Sequence, residues 1–91
     1  MIKHLVISGR VQGVGFRYWL QSLATKKNIF GWVKNKISGN VEALIVGNEK
    51  EVEDLIKLCK KGPLSSKVDH VKVSKYKKDY LKKSFDIIKS D

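Results

Sequence analysis

Two arginines, Arg10 and Arg17, stand among seventeen lysines, and both belong to one short stretch of the chain. That stretch, Gly9-Arg10-Val11-Gln12-Gly13-Val14-Gly15-Phe16-Arg17, holds three of the seven glycines. An arginine fork grips phosphate or carboxylate through two parallel contacts, which a lysine cannot do. Glycines let the backbone take positive φ and approach a ligand, and successive N–H groups then form an anion-binding nest. A helix opening at Phe16 would add unpaired donors and the positive end of its dipole. Arg17 falls in the first turn of that helix, where a cation opposes the dipole. Its placement points to a bound anion that offsets the repulsion. A plain tight turn with Arg17 on the surface is the alternative.

Familiar phosphate motifs are missing. Gly13-Val14-Gly15-Phe16-Arg17-Tyr18 lacks the third glycine of the dinucleotide fingerprint, and no acid stands about 20 residues later to bind a ribose. There is no Gly-Lys-Ser or Gly-Lys-Thr triplet, so the P-loop of nucleotide hydrolases is excluded. Residues 1–41 carry seven basic side chains and no acid, leaving no carboxylate near the loop for magnesium. The expectation is an anion site with no metal and no cofactor.

Asn35 is the second residue with chemical interest. Strand alternation puts it on one face with Val33 and Ile37, while Lys34 and Lys36 take the other. An amide on an apolar face needs a partner, because an unpaired buried polar group costs about 1–3 kcal/mol. That partner is either a ligand or the neighbouring backbone, the usual fate of such amides. His4 and His70 are lone histidines on strands and read as solvated or packed side chains. Arg10 either reinforces the loop's potential or is a surface residue. Trp19 and Trp32 read as core or half-buried aromatics. Cys59, the single cysteine, reads as a small buried hydrophobe. It excludes an internal disulfide and a multi-cysteine zinc site.

Alternating β-branched residues predict a first strand over Ile2–Ser8. After the glycine loop the period changes, with Phe16, Trp19, Leu20 and Leu23 on one helical face, ending near Asn28. Strands Phe30–Ile37 and Val41–Val46 follow, joined across Ser38-Gly39-Asn40. Asn48 with Glu51 opens a second helix whose apolar stripe is Val52, Leu55, Ile56 and Cys59, and Gly62-Pro63 stops it. A strand over His70–Tyr76 and a weaker segment over Phe85–Ile88 close the chain, with a lysine-rich solvated loop between them. The order is βαββαβ. It predicts an α+β, ferredoxin-like fold with two helices packed on one face of an antiparallel sheet.

Ninety-one residues make one domain, 1–91, with a single core. The 42% apolar and 31% charged composition fits an ordinary globule. No apolar run approaches the roughly 18 residues of a membrane helix, and the start of the chain lacks the apolar region of a secretory signal. With one cysteine, a cytoplasmic protein is expected. The net charge of +10 is uneven: residues 42–56 carry −4 and residues 57–91 carry +7, all of the latter's cations being lysine. A lysine-rich surface of this kind is mostly solvated face.

Ser8-Gly9-Arg10-Val11-Gln12-Gly13-Val14-Gly15-Phe16-Arg17 resembles the signature of the acylphosphatases. Gly31-Trp32-Val33-Lys34-Asn35-Lys36-Ile37-Ser38-Gly39-Asn40-Val41-Glu42 is similar to a second block of that family, and Gly62-Pro63 with Val68 to a third. The resemblance runs from Leu5 to Val73 in the family's order. It implies hydrolysis of a small-molecule acyl phosphate to a carboxylate and inorganic phosphate. It also implies that Arg17 and the backbone of Gln12, Gly13, Val14, Gly15, Phe16 and Arg17 hold the phosphoryl group. Asn35 would then hold the attacking water. The leaving carboxylate has a conjugate acid of pKa about 4, so no general acid is required. No nucleic acid, no membrane and a monomeric state are expected.

Two rival functions differ in what they need. RNA-recognition domains share the βαββαβ order but require aromatics on their central strands for base stacking. Val41-Glu42-Ala43-Leu44-Ile45-Val46 has none and carries an acid. A silent anion sensor would need the glycine loop but not Asn35.

Overall fold

The computed structural model describes residues Met1–Asp91. Its elements are β1 (Ile2–Arg10), α1 (Phe16–Lys26), β2 (Phe30–Asn35), β3 (Val41–Val46), α2 (Glu49–Lys61), β4 (Lys67–Lys75) and β5 (Phe85–Ile87). The strands form one sheet in the order β4-β1-β3-β2-β5. Both helices pack on the same face. The expected cap of α2 is present: Asn48 Oδ1 accepts the Glu51 N–H at 2.9 Å.

The pairs β4·β1, β1·β3 and β3·β2 are antiparallel, but β5 pairs with β2 in parallel, so the sheet is mixed. Direction explains this. β4 runs opposite to β2, and the chain reverses once as it crosses from the β4 edge to the β2 edge, arriving aligned with β2. Gln21 Nε2 donates to the Phe85 carbonyl at 3.0 Å and ties this edge strand to α1.

Several strand boundaries differ from the sequence reading. β1 continues through an irregularity at Ser8/Gly9 to Arg10, and its extra residues pair with Val68 and Lys67, so β4 begins before His70. β2 stops at Asn35. Ile37, expected on the apolar face, is 92% exposed. The cause is the turn: the Lys36 N–H donates to the Asn40 carbonyl at 2.8 Å and the Gly39 N–H to the Lys36 carbonyl at 3.0 Å, which takes Ile37 off the pleat.

The helix-side core joins Leu5, Ile7, Val33 and Val41 of the sheet to Phe16 and Leu20 of α1 and Val52 and Leu55 of α2. Leu44 lies outside this cluster, on the other face, yet has no exposed surface. Its direct neighbours across the sheet are His4 on β1 and Trp32 on β2. Those two strands are separated by two strand spacings, about 9.6 Å. The His4 and Trp32 rings nevertheless approach to 6.3 Å between centroids, edge to face, so they lean together over Leu44.

Candidate active site

Strand register brings the two regions of chemical interest to one end of the sheet. Ile7 on β1 pairs with Val41 on β3, which pairs with Asn35 on β2. Residues in such a row share a face, so Asn35 lies on the helix-packed side beside buried Val41 and Ile7. The loop leaving β1 enters α1 over this same end.

Val11 and Phe16, each 1% exposed, anchor the two ends of that loop in the core, while Gly13 and Gly15 between them are exposed. Gly13 has φ 73° and Gly15 φ 77° with ψ 17°, both left-handed. A Cβ at either position would enter open space, so conformation rather than crowding calls for glycine there. The positive-φ turns spread the N–H groups along one segment. No backbone carbonyl accepts from residues 12–18, and the first donated bond is Trp19 N–H to Gly15 O at 3.0 Å. α1 also lacks a side-chain cap and an acid in its first turn. Its end is a run of donors awaiting an acceptor.

Arg17 is half-buried at this helix start and joins none of the ion pairs, all of which use lysine or histidine. Arg10 is exposed and likewise unpaired. Asn35 is half-buried, but its Oδ1 is fully enclosed and has no hydrogen-bond partner. The neighbouring backbone therefore does not satisfy it. The Asn35 carbonyl accepts the Asp91 N–H at 3.2 Å. Asp91 also places its carboxylate 3.1 Å from Lys34 Nζ and 2.8 Å from Lys36 Nζ.

Gln12 has a contact that its sequence did not disclose. Its Nε2 donates to both the Lys36 and Asn40 carbonyls at 2.8 Å. The partners lie 24 and 28 residues away. The sequence reading gave Gln12 only a backbone role, and partners so distant along the chain leave no local signal.

The other reactive side chains are elsewhere. His4 Nε2 lies 2.6 Å from Glu42 Oε2 on the open face of the sheet. Partial burial pushes the Glu42 carboxyl up, but the His4 hydrogen bond and the Lys36 and Lys34 charges outweigh it and leave the group below its ordinary value. Lys34 Nζ sits 5.5 Å from the Trp32 ring centroid. His70 is exposed. Cys59 is buried in the core, and desolvation pushes its thiol up to about 12, so it is no nucleophile in the native fold. No three His, Cys, Asp or Glu side chains cluster as metal ligands, and no helix is long and apolar enough to cross a membrane. The surface grooves are lined by other residues, such as Lys3 of β1 with Ile56 and Lys60 of α2. A ligand at the loop would be held by donors rather than enclosed.

Comparison with known proteins finds acylphosphatases among both the relatives and the solved structures. The family model described as acylphosphatase matches residues 3–87. An acylphosphatase of Bradyrhizobium diazoefficiens is 49% identical over 70 residues, covering 77% of this chain and 71% of the relative. One from Acidiphilium cryptum is 49% identical over 61 residues, 67% of each chain. The crystal structure of acylphosphatase from Bacillus subtilis superposes with a TM-score of 0.92 at 37% identity, covering 98% of this chain and 100% of that one.

Proposed function

This chain belongs to the acylphosphatase family, hydrolases that split acyl phosphates into a carboxylate and inorganic phosphate, and on that premise we propose which of its residues carry the reaction. The backbone N–H groups of Gln12, Gly13, Val14, Gly15, Phe16 and Arg17 and the Arg17 guanidinium hold the phosphoryl oxygens. Asn35 holds the water that attacks phosphorus. Water's oxygen forms the new P–O bond as the bond to the acyl oxygen breaks. The carboxylate departs as an anion, and a phosphoryl oxygen takes the water's proton.

Phosphoryl transfer asks the protein mainly for positioning and charge stabilisation. Fixed N–H donors supply the second without reorganising, and an enclosed amide at the same end of the sheet supplies the first. The observation that carries this reading is the coincidence of three unsatisfied groups: the free N–H run of residues 12–17, unpaired Arg17 and the unpartnered Asn35 Oδ1. With no acid among residues 1–41, the reaction needs a leaving group that departs unprotonated and proceeds without a divalent metal.

Phosphate release from a simple acyl phosphate, with a phosphomonoester as control, tests this with and without excess EDTA at fixed ionic strength. Activity on the acyl phosphate alone, indifferent to EDTA, is expected. Loss in EDTA restored by magnesium refutes the metal-free mechanism, and comparable phosphomonoester turnover refutes the leaving-group argument.

The same reading takes residues 1–91 as one working domain, a cytoplasmic monomer that binds no nucleic acid. Lys67, Lys72 and Lys75 on edge strand β4 oppose edge-to-edge pairing, and the free thiol of Cys59 suits a reducing compartment. Sedimentation at micromolar concentration checks the monomer directly.

A further inference from the structure

The loop of residues 11–15 and the β2–β3 turn come from distant parts of the chain, and the Gln12 side chain joins them. A primary amide nitrogen has two hydrogens to donate. Gln12 Nε2 uses both, one on the Lys36 carbonyl and one on the Asn40 carbonyl. Those two residues flank the Asn35–Val41 pair, Lys36 following Asn35 and Asn40 preceding Val41. The same carbonyls close the turn, since Lys36 O accepts from Gly39 N–H and Asn40 O from Lys36 N–H. Each therefore accepts two bonds, which fills its lone pairs. Beside Gln12, buried Val11 fixes the main chain, and the Gln12 N–H belongs to the free donor run. One residue thus offers its backbone to the anion site and its side chain to the strand end that carries Asn35.

We propose that the Gln12 side chain is a positioning residue that sets the distance between Asn35 and the bound phosphoryl group. The inference rests on the reading that Asn35 holds the attacking water. A misplacement of about 1 Å in a reacting pair lowers rates by as much as 10²-fold, whereas phosphate binding to the N–H run does not depend on Asn35. Loss of the two bonds should therefore appear in kcat and spare ground-state binding.

The experiment compares Gln12→Ala and Gln12→Met with the wild type, Asn35→Ala and the double variant Gln12→Ala/Asn35→Ala. Gln12→Met keeps the side chain's length and apolar stem and removes the amide with its two donated bonds, so it serves if the alanine variant is poorly folded. Steady-state kinetics on an acyl phosphate are read beside calorimetric titration with inorganic phosphate. Expected are a kcat loss of roughly 10- to 100-fold in the Gln12 variants, phosphate affinity within about threefold, and a double variant no slower than Asn35→Ala. Non-additivity of that kind is beyond a merely structural role, which would lower both lines. Unchanged kcat in a folded Gln12→Met protein, or losses that multiply in the double variant, overturns the positioning role while leaving Asn35's intact. Wild-type turnover in Asn35→Ala overturns the water-holding reading, and this inference with it.

Discussion

Replacing Arg17 should move activity and stability in opposite directions. The guanidinium has no carboxylate partner and stands in the first turn of a helix without a side-chain cap or an acid. In the free protein it therefore opposes the dipole, an effect of about 0.3–1 kcal/mol at a helix end. Arg17→Ala should leave the unliganded fold unchanged or up to roughly 1 kcal/mol more stable, which for a domain this size is a melting rise of at most about 8 °C. Catalysis loses instead. A forked contact makes two hydrogen bonds to a charged group, each worth about 1.5–3 kcal/mol. Partial exposure puts both at the lower end, near 3 kcal/mol together, or roughly 150-fold in kcat/KM. Arg17→Lys keeps the charge and one contact, so about tenfold is expected. The assay pairs acyl phosphate hydrolysis with thermal melts at rising inorganic phosphate, which should protect the wild type more than either variant. Wild-type kinetics in Arg17→Lys would refute the forked contact. A fall of several degrees in the unliganded melt of Arg17→Ala would show instead that the side chain serves the fold.

Asn35→Ala should abolish most turnover while leaving phosphate affinity intact, and chemical denaturation should find it no less stable, because it removes an enclosed acceptor that lacks a partner. Glu42 has its folded pKa below its ordinary value of 4.5, so it contributes stability that is present above that pH and lost as pH falls through the folded value. Glu42→Gln should accordingly flatten the acid limb of the stability–pH curve, read by denaturant midpoints, and it also removes one of the charges that raise the Lys36 pKa. The Cys59 thiol, pushed up to about 12, should react with a disulfide reagent at neutral pH only as fast as the domain opens, and at once in denaturant.

Local signals were the legible ones. The Asn48–Glu51 cap, the change of period at Phe16 and the strand Val41–Val46 each depend on neighbours in sequence, and each stands where expected. What pairing decides was hidden. The direction of β5 follows from which edge the chain reaches, and the early start of β4 from the continuation of β1 past an irregularity. Alternation placed Ile37 on the apolar face because periodicity carries no information on where a turn withdraws the chain from the sheet. At the site, the glycine loop, Arg17 and Asn35 were visible as residue types. The two carbonyls gripped by Gln12 were not, since any backbone offers the same group and only the fold selects among them.

The crossing from β4 to β5 also bears on the order in which the domain assembles. β5 pairs with residues more than fifty positions earlier, and its partner edge exists only after β2 has joined β3. A three-residue strand offers few ladder bonds to offset its own ordering, so it is expected to dock onto a β2 edge already formed. The segment beyond it, with the Ile88 N–H on Val33 O and the Asp91 N–H on Asn35 O, can settle only then. A short peripheral strand is also the part that opens first in native fluctuations, so its amides should exchange well ahead of those in β1 and β3. The strand end that carries Asn35 is therefore braced from two sides of unequal strength: a glutamine amide between loops set by the central sheet, and an edge segment held by a three-residue outer strand.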